Sequence, residues 1–187
     1  MSKKASRIPN PLALNMYVLG YDSRKKLTNL NQAVKENLQT YLGQYRMVTD
    51  AINIKNAFVI NIGVQFSIMT RPNYNKNEVL IRAIEEVKTF FDIDRWQINQ
   101  PIVMSDLVYK LSLVDGVSGV VPPKEDNLAS NPIIITNKYK TADGYSGNLY
   151  DIDSATKNGV IYPSLDPSIF ELKFPASDIE GRVVGDY

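Results

Sequence analysis

Carboxylate side chains are the main candidates for acid–base chemistry in this sequence. Glu85 and Glu86 are adjacent in a segment of helical periodicity, and a pair of carboxylates is what glycoside hydrolysis requires. Adjacent residues of a helix point about 100° apart, so these two carboxylates cannot flank one bond. We therefore expect both side chains to lie on a solvated helix face.

A second acidic segment lies nearer the carboxyl end. Asp151 and Asp153 precede Asn158-Gly159 and weakly resemble a calcium-binding loop. Ala155 occupies a ligand position and no glutamate closes the loop, so a hairpin turn at Asn158-Gly159 is the better interpretation. The sequence thus predicts neither a metal site nor a cofactor.

The composition narrows the possible chemistry further. Cysteine and histidine are both absent, which removes thiolate nucleophiles, disulfides and the commonest general base near neutral pH. We therefore expect no enzymatic activity. Lys plus Arg number 21 against 20 Asp plus Glu, a balance that argues against nucleic acid or an anionic membrane as a partner.

Tyrosines in the polar carboxyl-terminal part are the first candidates for a recognition surface. They lie among Gly, Asn, Ser and Asp, where burial within the chain is not assured, and a tyrosine there supplies rigid contact area and a hydroxyl. Packing of the rings back onto neighbouring strands is an equally good interpretation of the pattern. The four residues are Tyr139, Tyr145, Tyr150 and Tyr162.

The clearest predicted strand runs from Ala57 to Thr70, where apolar residues occupy alternate positions. This spacing places Ile62 on an apolar face and Asn61 and Gln65 on the other, polar face. Asn61 and Gln65 are the second candidates for a subunit contact, because a polar strand face can pack against a neighbour.

Three segments have helical periodicity. The first carries an apolar stripe from Leu30 to Tyr45 with Thr28 as its N-cap, and the second follows a capping box that starts at Asn75. Ser105 is the expected cap of the third. Each helix is predicted to bury one face against the sheet.

The chain divides in this interpretation into a flexible arm at 1–13, an α+β domain at 14–122 and a β-rich tail region at 123–187. The predicted fold class is α+β, a small sheet with two or three amphipathic helices on one face, followed by a loop-heavy tail. The predicted strands of the tail are Ile133–Ile135, Ile169–Phe174 and Arg182–Val184.

Several long runs of the sequence resemble the baseplate J-like proteins of contractile phage tails. The greater similarity is to the carboxyl-terminal part of the baseplate wedge subunit family, gene product six of T-even phages, and it extends from about Leu14 almost to the end. The runs that carry the resemblance are Tyr17–Asp22, Leu38–Ile54, Phe58–Val64, Thr70–Asn75, Phe91–Pro101, Ser112–Val117, Tyr162–Leu172 and Gly181–Val184.

This resemblance implies a structural protein of the virion, located in the tail baseplate and assembled in the host cytoplasm. In that family the subunits pair as homodimers, the dimers link into a ring, and other baseplate wedge proteins are partners. The family proteins are much longer, so this chain is either a fragment or the product of a split gene. We expect a fragment, because the Pro-rich arm is a poor amino terminus for a wedge subunit. The alternative function is a tail-associated glycan-binding or glycan-cleaving module.

Overall fold

The structure is a computed structural model that describes residues 14–45, 52–123 and 131–185. The predicted arm at 1–13 lies outside these residues. The fold is mixed α+β, as predicted. The chain forms two compact units, which divide between Ala57 and Phe58.

The first unit contains a pair of parallel strands, a small hairpin and one helix. Asn31, not the predicted Thr28, caps the helix, because its side chain accepts a hydrogen bond from the Val34 amide at 2.9 Å. The elements are β1 (Leu14–Val18), β2 (Gly20–Tyr21), β3 (Leu27–Thr28), α1 (Gln32–Gly43) and β4 (Ile52–Asn56). Strands β1 and β4 pair in parallel, and β2 and β3 pair antiparallel.

The second unit is built on the long alternating strand that the sequence predicts. It contains eight strands, four α-helices and a 3-10 turn at Thr141–Asp143 within its described residues. The strands are β5 (Phe58–Thr70), β6 (Ile102–Val103), β7 (Val117–Val121), β8 (Ile133–Asn137), β9 (Thr156–Lys157), β10 (Val160–Ile161), β11 (Ser168–Glu171) and β12 (Ile179–Val184). The helices are α2 (Lys76–Phe90), α3 (Met104–Ser112), α4 (Ile152–Ala155) and α5 (Pro175–Asp178).

Strand β5 is the centre of a five-stranded sheet. Parallel strands β11 and β12 lie end to end along one edge of β5, and antiparallel strands β8 and β7 lie along the other. Parallel neighbours usually belong to sheets covered on both faces. Both faces of β5 are accordingly buried, including Ile62 on one side and Asn61 on the other.

Helices α2 and α3 pack against this sheet at β12 and β7, and α2 also contacts α3. The predicted cap of α2 is confirmed, since the Asn75 side chain accepts from the amides of Asn77 and Glu78. Helix α3 differs from the prediction, because it begins at Met104 and has no side-chain cap from Ser105.

The predicted boundary at 122–123 separates strands that share one sheet. Strands β8, β11 and β12 come from the predicted tail and all pair with β5. A smaller sheet also spans this position, because β6 pairs with β10, which continues to β9. The turn predicted at Asn158-Gly159 is confirmed, and it joins β9 to β10 with positive φ at both residues.

Candidate interaction surfaces

Asn61 lies inside the second unit. Its amide nitrogen donates to Glu171 Oε2 at 2.8 Å, and its amide oxygen accepts from the Ser146 main-chain N–H at 2.8 Å. Glu171 is opposite Asn61 in the pairing of β11 with β5, and both side chains are buried. The expectation that Asn61 faces a neighbouring subunit is therefore wrong for the folded chain, because Asn61 is buried and its side chain is bonded to Glu171 and Ser146 of the same chain.

The same buried position anchors the loop between β8 and α4. The main-chain oxygen of Asn61 accepts from the Lys138 N–H at 2.8 Å, and that of Val59 accepts from Ser146 Oγ at 2.7 Å and Asn148 Nδ2 at 2.8 Å. Polar side chains in this loop suggested an external binding segment. Two of them, Ser146 and Asn148, instead attach the loop to β5.

Gln65 is half-buried on the same face of β5. Its Nε2 donates to Glu180 Oε2 at 2.8 Å, across the pairing of β5 with β12. This hydrogen bond uses the amide nitrogen of Gln65. A role of Gln65 in a subunit contact stays a prediction.

Tyr145 is a half-buried side chain whose hydroxyl faces inwards. The hydroxyl donates to Asp178 Oδ1 at 2.5 Å, and the ring packs edge-on against Phe174 at a centroid distance of 5.4 Å. Burial, with the adjacent Asp178 carboxylate, raises the pKa of Tyr145 to about 12. Tyr145 therefore connects the loop to α5 within the subunit.

Tyr150 is used in a similar way. Its hydroxyl donates to the main-chain oxygen of Tyr162 at 2.6 Å, and its ring lies 6.0 Å from that of Phe170 in a T-shaped contact. Burial raises the pKa of the Tyr150 hydroxyl, and Asp151 contributes in the same direction. The rings of Tyr145 and Tyr150 thus follow the alternative interpretation, in which they pack back onto the strands.

The other two predicted tyrosines are exposed. Tyr139 is 43% exposed and Tyr162 is 49% exposed. Two leucines of the same tail region, Leu149 and Leu165, are also strongly exposed. We call Leu149, Tyr162 and Leu165 the tail surface. The sequence pattern missed the two leucines, because isolated apolar residues in a loop have no periodicity.

Helix α1 carries a second apolar surface. The stripe of Val34, Leu38, Tyr41 and Tyr45 has the spacing of a face to be buried, yet no residue of α1 is buried. Val34 is 44% exposed and Tyr41 is 57% exposed. We call these four residues the helix surface. The prediction that the stripe is buried within the chain is therefore wrong for Val34, Tyr41 and Tyr45, which are exposed, whereas Leu38 is half-buried.

Two of the carboxylates considered for chemistry make ordinary structural contacts. Glu85 accepts a hydrogen bond from Lys88 Nζ, and Asp151 caps α4 by accepting from the Ser154 N–H at 3.1 Å. Over the described ranges no group of three or more metal-binding side chains comes together, and no helix is long and apolar enough to cross a membrane.

Comparison of the chain with protein-family models finds no match, and comparison with curated proteins finds none either.

Proposed function

We propose that this chain is a structural virion protein, a baseplate wedge component of a contractile phage tail that links wedges into a ring by self-association. The resemblance in sequence suggests the location, and the exposed apolar surfaces support the assembly role. Exposed contiguous apolar surface in a folded protein commonly marks an interaction site.

The main observation in support of this proposal is that the first unit has almost no buried core in its described residues. Parallel strands are normally covered on both faces, and isolated two-stranded sheets are marginally stable. Among the described residues of this unit, however, Ala57 is the only buried one. Strands β1 and β4 with α1 form a unit that needs a further apolar surface to complete its core, and a second subunit would supply it.

A ring of dimers needs two kinds of contact. A two-fold contact uses the same patch on both subunits and stops at a dimer, whereas a head-to-tail contact joins different patches and can close a ring. The helix surface offers a patch for the two-fold contact, and the tail surface offers one side of a head-to-tail contact. We assign the two-fold contact to the helix surface, because Tyr41 and Tyr45 present adjacent rings, 5.2 Å apart, that a symmetric partner can match.

The particle mass in solution tests the assembly role. We expect the chain to form a dimer or larger particle, and Tyr41→Glu to shift the mass towards the 21.0 kDa of one chain, because a carboxylate cannot be buried unpaired at an apolar contact. Thr40→Glu is the matched control, since Thr40 is exposed, lies off the stripe and bonds only to its own helix at Glu36 O. Light scattering measures both variants.

A single-chain mass for the unchanged protein at high concentration, both alone and mixed with other baseplate wedge proteins, would contradict the proposal. Equal dissociation by Tyr41→Glu and Thr40→Glu would contradict the assignment to the helix surface. Release of sugars from a bacterial polysaccharide by the purified chain would favour the alternative, a glycan-cleaving module.

A further inference from the structure

Strand β8 has an edge that no other strand of the described chain covers. The Lys138 N–H donates to Asn61 O, and these two residues lie one position beyond the last pair of the β5–β8 register, Ile62 with Asn137. Backbone groups of an antiparallel strand alternate between the two sides. The N–H and C=O groups of Ile133 and Ile135 therefore point away from β5.

No hydrogen bond to these outward groups is present within residues 14–45, 52–123 and 131–185. Natural proteins usually protect such an edge with a charged residue, a proline or a bulge. Strand β8 reads Ile-Ile-Ile-Thr-Asn and contains none of these. An apolar, unprotected strand edge is a template for another extended segment.

A cleft of about 500 Å³ runs beside this edge. Residues 133–137 of β8 form one wall, and α4 with the segment before it forms the other. The buried side chains of Met104, Ile152 and Ile161 provide apolar lining. The cleft has the volume of a typical ligand site, and its apolar lining can accept alternate side chains of a strand.

The charged residues that line the cleft are all acidic. Asp151 and Asp153 are its charged lining residues, and no lining residue is basic. Hydrogen bonds from Ser154 lower the pKa of Asp151, so that carboxylate remains ionised at neutral pH. A ligand with a lysine or arginine beside this wall would be favoured over an acidic one.

We propose that the cleft along β8 is a peptide-binding site, in which an extended, basic segment of a partner protein adds to the edge of β8 as a further strand. The main-chain groups of Ile133 and Ile135 bind the backbone of that segment. Asp151 and Asp153 select a basic side chain on it. This inference stands apart from the self-association proposed above, which uses other residues.

Selection from a library of random peptides of about eight residues tests the site with the full chain as target. We expect the recovered peptides to alternate apolar and polar residues and to carry Lys or Arg. A synthetic peptide of the selected sequence is then used for all measurements. Its binding should protect the amides of Ile133 and Ile135 from hydrogen exchange.

Two controls test whether binding depends on the acidic wall of the cleft and on main-chain pairing with β8. Asp153→Lys should weaken the selected peptide about tenfold or more, whereas Asp166→Lys, an exposed site that does not line the cleft, should leave its affinity within about twofold. The same peptide with alternate amides N-methylated cannot pair with a strand and should not bind.

Failure to select any peptide would overturn the proposal. So would equal binding of the N-methylated peptide, or protection of amides elsewhere with none at Ile133 and Ile135. The particle mass is measured in parallel, so failure of peptide binding and failure of self-association are separate outcomes.

Discussion

Asn61 shows how a single polar residue can hold several elements together. Its side chain joins β5 to β11 at Glu171 and to the loop at Ser146. We expect Asn61→Ala to lower the free energy of unfolding by about 1 to 3 kcal/mol, because a buried carboxyl and a main-chain N–H each lose a partner. Urea unfolding followed by circular dichroism measures the change.

Gln65→Ala is the matched control for this prediction. It removes the same amide group from the same face of β5, but Gln65 and its partner Glu180 are more exposed. Its effect should stay within about 0.5 kcal/mol. An equal loss in both variants would show that burial at Asn61 does not determine the cost.

The raised pKa of Tyr145 should make the free energy of unfolding depend on pH in the alkaline range. Its pKa is about 12 in the folded chain against an ordinary value of 10.0, so between these values the unfolded chain loses the proton first. The contribution of Tyr145 is complete below pH 10 and is lost as the pH rises towards 12. The unfolding free energy of Tyr145→Phe should therefore fall less steeply over this range.

The same variant should be less stable than the unchanged chain at neutral pH by about 1 to 2 kcal/mol, since the hydrogen bond to Asp178 is lost. Tyr150 retains its own raised pKa in both proteins, so some alkaline slope remains. Identical slopes for the two proteins would contradict the role given to the Tyr145 hydroxyl.

The sequence could show which residues share a face of β5 but not whether both faces are covered. The alternation from Phe58 to Thr70 correctly separates Asn61 from Ile62. Burial of Asn61 depends on Glu171, which is 110 residues away along the chain. No local pattern records that pairing, so the sequence alone predicts an exposed polar face.

At the scale of elements, the contact of α2 with β12 depends on the absence of a side chain at Gly181. A Cβ atom there would lie 2.7 Å from Phe66 Cζ and 2.9 Å from Leu80 Cδ1. Gly181→Ala should therefore destabilise the protein by about 1 to 3 kcal/mol, because the helix or the ring must move. Thermal unfolding of the variant measures the loss.

Gly119 in β7 is the comparison for Gly181. A Cβ atom at Gly119 would meet nothing within 4 Å, and its φ is not positive. Gly119→Ala should stabilise the chain by about 0.4 to 1 kcal/mol, since alanine restricts the unfolded state. A loss at Gly119 as large as that at Gly181 would refute the steric explanation.

Elements with strong local signals could be predicted, and their partners could not. Strand β5, helix α2 and the Asn158-Gly159 turn each have periodicity or turn residues that act within a few positions. The start of α1 was misplaced because Thr28 and Asn31 are both acceptable caps. The tail appeared separate because β8, β11 and β12 are short and reach β5 only through long-range pairing.

At the scale of the molecule, the division after Ala57 separates two units of unequal completeness. The second unit contains β5, all four neighbours of β5 and nearly all buried side chains in the described ranges. The first retains an exposed apolar helix. Stability should therefore reside mainly in the second unit, and assembly through the helix surface in the first.

A chain that starts at Phe58 separates these two properties. It keeps every strand of the five-stranded sheet, so we expect cooperative unfolding with a melting temperature near that of the whole chain. It lacks the helix surface, so its particle should contain fewer subunits. Calorimetry and light scattering measure the two quantities independently. A shortened chain that folds and keeps the full particle size would contradict assembly through the helix surface.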